Sequence, residues 1–321
     1  MTRRFVTDLK DGDVVDEVFL VADKQLRANR NAALYLNVDL RDKTGVLNGR
    51  MWNVTEESCQ HIQTGGFVRI KGKVQLYQGT LQLILTYIDN VAASSTDPAD
   101  FESMNSAKVE ELLAELRAIL LAFEHPQLRT LMECFLLDDG LMKVLAETPA
   151  GVKAHHAYRG GLVEHMVSLM KVAKKICEVY VDLDVELLLA GVFLHDIGKV
   201  RELNVEAGFV YTDEGQLLGH LVIGVEMLSE KIRQFEQLTG GSFDNELAWR
   251  LKHMIVSHHG TYEFGSPRLP MTPEAVALHQ LDNLDAKLHE FFRSIQDDPN
   301  SGSHWTLYIP RLDRKIFKGA K

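Results

Sequence analysis

The sequence predicts a multidomain chain, an N-terminal all-β barrel followed by an all-α helical bundle. Residues 1–91 are rich in β-branched and aromatic segments of strand length. Residues 106–300 carry leucines at helical spacing and long apolar runs. Charge divides at the same place: residues 1–91 carry a net +1 and residues 92–300 a net −15. Ten of the 13 histidines lie between His155 and His289, so the acidic half also holds the groups suited to metal chemistry.

In the first half, strands are expected at Val14–Val21, Ala33–Leu40, Gly45–Trp52, Phe67–Tyr77 and Thr80–Ile88. Asp42-Lys43-Thr44-Gly45 reads as a turn and Gln78-Gly79 as a tight hairpin. Val54–Ile62 reads as a short helix between the third and fourth strands. Five strands with a helix at that point follow the order of an OB-fold barrel. Residues 92–105 then form a small, polar, proline-bearing linker.

In the second half, Ser106 is placed to cap a helix reaching Phe123. Further helices are expected at Gln127–Leu137, Leu162–Tyr180, Val185–His195, Leu217–Leu238, Asn245–Ser257 and Pro273–Ile295. Residues 301–321 form a basic, aromatic tail with a net charge of +4 and Trp305, Tyr308 and Phe317 interleaved. This tail is suited to contact nucleic acid, to dock on another subunit, or to pack on its own chain.

Composition bounds the function. Apolar content of 45% and charged content of 25% belong to a globular chain. No run approaches the roughly 18 apolar residues of a membrane span. The opening residues carry Arg3 and Arg4 but no apolar stretch, and Cys59, Cys134 and Cys177 lie far apart. A cytoplasmic protein without disulfides is therefore expected, with no membrane partner. The net charge of −10 argues against a nucleic-acid partner only when taken as one number.

The fourth strand shows why. Phe67, Arg69, Lys71, Lys73, Gln75 and Tyr77 share one parity, and Val68, Ile70, Val74 and Leu76 the other. Alternation puts the apolar row inside and the basic, aromatic row outside. Cations tracking phosphates beside rings that stack on bases make a single-strand binding face. Tyr35 with Asn37, and Arg50 with Trp52, offer similar outward groups on neighbouring strands.

His195-Asp196 closes the apolar run Leu187–Leu194. Two adjacent ionisable groups at the end of such a run are costly unless something satisfies them, and a divalent ion does so. His165, His220, His258 and Asp282 are further candidate ligands on other helical segments, with His253 and His259 competing for the place of His258. His155 and His156 are candidates for the substrate entrance; His279 and His289 are not expected to be ligands. Lys199, four residues beyond His195, is placed to meet a substrate phosphate, and Arg159 is a second phosphate candidate. No GxSxG elbow, P-loop or cysteine-nucleophile motif is present.

The order His165, His195-Asp196, His220, His258, Asp282 resembles the HD-domain metal-dependent phosphohydrolases in their two-metal form, over roughly residues 150–295. The resemblance implies that Asp196 bridges two metals, one held with His165, His195 and Asp282, the other with His220 and His258. Val68-Arg69-Ile70-Lys71-Gly72-Lys73-Val74-Gln75 resembles the OB domains of tRNA-anticodon readers. The two domains together, with Ala154–His165 and Ser257–Pro267, resemble the YhaM family of bacterial 3′→5′ exoribonucleases almost end to end. That resemblance implies release of nucleoside 5′-monophosphates from single-stranded RNA by metal-activated hydroxide, with Asp196 and Lys199 catalytic and Mn or Co favoured over Fe, Ni, Mg or Zn. The candidate substrate-binding residues are Arg159, His259, Tyr35, Trp52, Phe67, Arg69, Lys71, Lys73 and Tyr77. Single-stranded DNA is an alternative substrate, since stacking does not select ribose. The sequence is compatible with a homo-oligomer. Two other classes stay open: a phosphodiesterase of small nucleotides or cyclic dinucleotides with a regulatory barrel, and a non-catalytic single-strand binder.

Overall fold

The computed structural model describes residues 3–29, 33–77, 80–97, 100–101, 106–151, 158–204, 210–296, 298, 300 and 302–319. The Gln78-Gly79 turn and the candidate entrance histidines His155 and His156 lie outside these residues. Backbone contacts divide the chain into two compact units, residues 1–103 with 290–321, and residues 104–205 with 210–289.

The first unit is built on a closed five-stranded barrel. Its strands are β1 (Val14–Ala28), β2 (Leu34–Asp42), β3 (Gly45–Trp52), β4 (Phe67–Tyr77) and β5 (Thr80–Val91), in the order β1-β2-β3-β5-β4. β1 pairs with β4 through Val14–Leu20 and with β2 through Leu20–Ala28. A register shift between Val21 and Asp23 marks the bend between the two pairings. β1 therefore runs seven residues beyond the expected Val21, because paired backbone carries the polar stretch Asp23–Arg27 on. Val15, Phe19, Val21, Leu36, Val38, Leu40, Val68, Ile70, Val74 and Leu83 fill the interior. Leu76 has the inward parity of β4 but is exposed near the strand's end. Helix α1 (Glu56–Gln60) lies between β3 and β4, and Lys24 Nζ donates to Cys59 O and Ile62 O at its C-terminal end, both at 2.7 Å. The lysine thus satisfies carbonyls that a helix end leaves open.

The tail belongs to this unit. Isolated antiparallel bridges join Trp305 to Phe317 and Ile309 to Arg314. Lys318 Nζ is buried against Asp298 at 2.5 Å.

The second unit contains α2 (Ser106–Leu121), α3 (Pro126–Leu136), α4 (Asp139–Glu147), α5 (Gly161–Cys177), α6 (Val185–Leu194), α7 (Lys199–Glu202), α8 (Asp213–Thr239) and α9 (Asn245–Ser257). α10 (Pro273–Gln296) begins in it, and a short hairpin, β6 (Leu203–Asn204) with β7 (Val210–Tyr211), follows α7. Asp138, Asp184, Thr212 and Asp244 cap α4, α6, α8 and α9 by accepting from Leu141, Leu187, Gly215 and Leu247. α6 is the central helix, with every residue from Leu187 to Leu194 buried. α4 has no counterpart among the expected helices; it is nine residues long, and only its Asp138 cap announces it. No helix among the described residues is long and apolar enough to cross a membrane. Cys59, Cys134 and Cys177 are free thiols.

Candidate metal centre and nucleic-acid face

Where α6 ends the chain continues through tight turns, Ile197 N donating to Leu194 O at 3.2 Å and Lys199 N to Asp196 O at 3.0 Å, and these turns position His195 and Asp196. Gly198 packs so closely on α8 that a Cβ there would lie 2.1 Å from His220 O and 2.8 Å from Gly224 N. α8 is itself broken at Gly219, whose φ of 72° and ψ of 157° are non-helical. The break frees the amide of His220, and Glu202 Oε1 accepts from it at 2.9 Å. The same oxygen lies 3.0 Å from His220 Nδ1, so one buried carboxylate fixes both the backbone and the ring.

Three ligand groups converge around Asp196. His165, His195 and Asp282 form one, His195, Asp196 and His258 a second, and His220, His258 and His259 a third, with the ligand atoms of each within 4.8 Å of one another. The five histidines form a chain of ring contacts, with centroids 5.4 Å apart for His165–His195, 4.8 Å for His195–His258, 4.4 Å for His258–His259 and 5.2 Å for His220–His259.

Hydrogen bonding assigns the tautomers. Nδ1 of His195, His258 and His259 donates to Val192 O, Ile255 O and Phe264 O at 2.8, 2.8 and 2.9 Å. Nδ1 of His165 donates to Asp285 Oδ2 at 2.8 Å. With Nδ1 as donor, His195, His258 and His259 in their neutral form turn an Nε2 lone pair to the other side. His220 Nε2 and His258 Nε2 lie 3.5 and 3.6 Å from Asp196 Oδ1, and His195 Nε2 lies 3.3 Å from Asp196 Oδ2. Acceptors thus face acceptors, and His195 Nε2, Asp196 Oδ1 and His220 Nε2 are buried with no hydrogen-bond partner among the described residues. A cation removes that conflict, and imidazole with carboxylate is a donor set for first-row divalent ions. The residues fit the metal centre that the sequence predicts.

Electrostatics agree. Burial pushes His258 well below the ordinary imidazole range, and the neighbouring His195 adds to this. Burial also lowers His259, with His220 contributing. Both rings are therefore neutral and ready to ligate. Burial opposes ionisation of Asp196, but Lys199 and His195 outweigh it and hold the carboxyl well below its usual range. Burial would lower His165, but hydrogen bonds to Asp282 and Asp285 raise it to about 9, which marks a place where two carboxylates call for positive charge. Asp282 is lowered: burial opposes this, and the hydrogen bond from His165 leads the groups that overcome it.

The expected residues are placed unevenly. His165, His195, Asp196, His220, His258 and Asp282 are brought together, and His259 joins them. His253 does not; its Nε2 accepts from Met271 N at 2.9 Å. His279 donates through Nδ1 to His258 O at 2.8 Å and so supports a ring that faces the cluster. Lys199 is not on a continuation of α6. Its Nζ is committed to Asp196 Oδ2 at 2.6 Å and Ala150 O at 2.5 Å, which uses two of its three hydrogens. Arg159 is half-buried, just before the Gly160 that opens α5. Glu202 and Asp285 are the residues that sequence reasoning missed. Asp285 follows Asp282 by one helical turn on α10, a spacing that could have suggested it, whereas Glu202 carries no local signal. Glu202→Gln is expected to weaken metal affinity by about 10- to 100-fold, as loss of a supporting carboxylate does at such sites; titration calorimetry with Mn reads this.

On the barrel, pairing places Gln25, Asn37, Arg50, Ile84 and Lys73 in one outward row across β1, β2, β3, β5 and β4. Tyr35 and Trp52 are paired beside it, with ring centroids 4.9 Å apart. The Arg50 guanidinium lies 5.9 Å from the Tyr77 ring. Tyr35, Trp52, Lys73 and Tyr77 therefore share a face. Arg69 and Lys71 bond instead to Asp16 on β1, at 2.7 and 3.4 Å. Phe67 is half-buried and packs edge-on against Phe101 at 4.7 Å, which removes one ring edge from solvent.

Comparison with known proteins agrees with both halves. A family model described as the HD domain matches residues 162–287, and one described as the OB-fold nucleic acid binding domain matches residues 20–91. The 3′-5′ exoribonuclease YhaM of Shouchella clausii (strain KSM-K16) is 33% identical over 286 residues, 89% of this chain and 87% of that protein. Among solved structures, the second OB-fold domain of replication protein A from Methanococcus maripaludis aligns at 17% identity over 29% of this chain and 98% of its own, with a TM-score of 0.24. Entamoeba histolytica asparaginyl-tRNA synthetase aligns at 16% identity over 36% of this chain and 33% of its own, with a TM-score of 0.22.

Proposed function

Since the chain belongs to the YhaM family of 3′-5′ exoribonucleases, we propose that it removes nucleotides from the 3′ end of single-stranded RNA as nucleoside 5′-monophosphates, using two divalent ions held around Asp196. The observation that carries this reading is the convergence of five histidines and two aspartates, with acceptor facing acceptor, in a chain that also bears an OB barrel.

His165, His195 and Asp282 would hold one ion and His220, His258 and His259 the other, with Asp196 beside both. Bound divalent ions supply polarisation of the phosphodiester and lower the pKa of water towards neutrality. The chain's own residues do the rest. Lys199 keeps Asp196 ionised and oriented, so it is a positioning residue rather than a free phosphate cation. Glu202 and Asp285 orient His220 and His165 so that each turns Nε2 inward. No side chain acts as nucleophile. Mn or Co is the favoured ion, since nitrogen-rich sites suit first-row transition metals better than Mg. Three free thiols suit a reducing cytoplasm.

The barrel holds the strand through Tyr35, Trp52, Tyr77, Arg50 and Lys73. Substituting Arg50 and Lys73 together by alanine is expected to weaken binding of long RNA more than of a dinucleotide. It also lowers the log–log salt slope by about 0.7 per phosphate contact removed; fluorescence anisotropy at several salt concentrations reads both.

Product analysis tests the function. Single-stranded RNA and DNA, free nucleotides and a cyclic dinucleotide are each supplied with Mn, Co, Mg or Zn. The reading requires 5′-monophosphates from RNA with a transition metal. Faster turnover of the cyclic dinucleotide or of free nucleotides would assign the chain to small-molecule hydrolysis instead.

A further inference from the structure

The segment after α9 carries two aromatic rings that the fold leaves in solvent. Tyr262 is 61% exposed and Phe264 69% exposed, although both lie on a short, tightly bonded turn. Phe264 N donates to Thr261 O at 3.2 Å, Gly265 N to Tyr262 O at 3.0 Å and Ser266 N to Thr261 O at 3.1 Å. Ser266 is buried, and its hydroxyl reaches Val256 O at 3.1 Å and Arg268 O at 2.7 Å, which ties the turn to the end of α9. At the turn's start, Gly260 has a φ of 81° and packs on the His279 ring, where a Cβ would lie 2.0 Å from a ring carbon. The turn is thus held from both ends, and its exposed rings are pre-positioned.

The turn is also continuous with the metal cluster. Phe264 O accepts from His259 Nδ1 at 2.9 Å, and His259 Nε2 belongs to the ligand group with His220 and His258. A second apolar segment borders the same histidines: Leu217, 83% exposed, and the exposed Leu218 immediately precede Gly219 and His220. Exposed apolar side chains are costly in bulk but useful where a flat apolar group must be received beside a charged one. A terminal nucleotide has that composition, a phosphate for the ions and a base with a π-face.

We propose that Phe264, flanked by Tyr262, is the stacking platform for the 3′-terminal base of the RNA, and so positions the terminal phosphodiester at the cluster. This rests on the exoribonuclease reading. Stacking is tolerant of base identity, so the platform accepts any terminal base while requiring that one be present. Phe264 contributes its carbonyl to His259 whatever its side chain, so the ring can be altered while that hydrogen bond is kept.

The test compares two RNA oligonucleotides, one ending in an ordinary 3′ nucleotide and one ending in an abasic nucleotide, with wild-type chain, Phe264→Ala, Phe264→Leu and Phe264→Trp, reading kcat/KM for removal of the terminal residue. Removing the base should slow the wild type by about tenfold, within the range of one base–aromatic stack. Phe264→Ala and Phe264→Leu should lose about the same factor on the ordinary RNA and lose little more on the abasic one. Phe264→Trp should retain the discrimination. Phe264→Leu keeps the apolar bulk and carries the test if Phe264→Ala does not fold. Equal slowing of both substrates by the variants, or a wild type indifferent to the terminal base, overturns the platform. Failure of the wild type to shorten the ordinary RNA would overturn the exoribonuclease reading itself.

Discussion

Asp196→Asn is expected to abolish hydrolysis while leaving the helical unit folded. Asp196 approaches a member of each ligand group, at 3.3 Å from His195, 3.5 Å from His220 and 3.6 Å from His258. Asparagine keeps the shape and removes the charge. Several kcal/mol of charge stabilisation disappear with it, a loss of about a thousandfold or more in rate. The substitution has a second consequence. Lys199 Nζ is buried against Asp196 and would be left with Ala150 O and an amide. A stranded buried cation costs about 3–5 kcal/mol. Asp196→Asn with Lys199→Met should therefore recover much of the lost stability and none of the activity. Thermal melts beside single-turnover assays separate the two effects. Full activity in Asp196→Asn with metal present would remove this residue from the centre of the account.

Gly198→Ala is expected to be nearly as damaging through packing alone. The added methyl would meet backbone atoms, His220 O and Gly224 N, and not the end of a flexible side chain. α8 must move, and His220 moves with it. Overpacking of this kind costs about 1–3 kcal/mol. The functional loss is larger than the stability loss suggests, because His220 leaves the ligand group it shares with His258 and His259. Metal counting on the purified variant should show one ion retained more tightly than the other. Unchanged stoichiometry and rate would show that the close approach at Gly198 does not hold the centre together.

These two residues illustrate what the sequence discloses and what it does not. The barrel was legible because alternation along β4 is strict from Val68 to Val74, and because apolar parity settles which row is buried. The cluster was legible because His195 and Asp196 follow the wholly apolar run Leu187–Leu194, where ions are costly unless satisfied. Choices that depend on tertiary geometry were not legible. His253 lies within α9 and His258 just past its end, and only the chain's course beyond Ser257 brings His258 and His259 to the cluster. Glu202 acts across the break at Gly219, eighteen residues from His220, and no local pattern encodes it. Spacing points Lys199 toward a substrate phosphate but gives no partner, and Asp196 and Ala150 O already occupy it. Phe67 has the right parity for a binding face, yet it packs on Phe101, a residue beyond the barrel strands.

The division of charge gains meaning in the same way. The −10 of the whole chain combines a slightly basic barrel with a strongly acidic helical half. Divalent ions held at the cluster would bring positive charge to the place where the proposed reaction puts the phosphate, a contribution no residue count includes.

The central claim is stepwise, metal-dependent removal of residues from a 3′ end. It is tested most directly by a time course on 5′-end-labelled single-stranded RNA, with Mn, with chelator, and with Asp196→Asn. The account predicts a ladder shortening one nucleotide at a time in the first case only, together with free nucleoside 5′-monophosphates. Cleavage of a circular RNA of the same sequence, or an intact labelled strand beside rapid hydrolysis of free nucleotides, would contradict it.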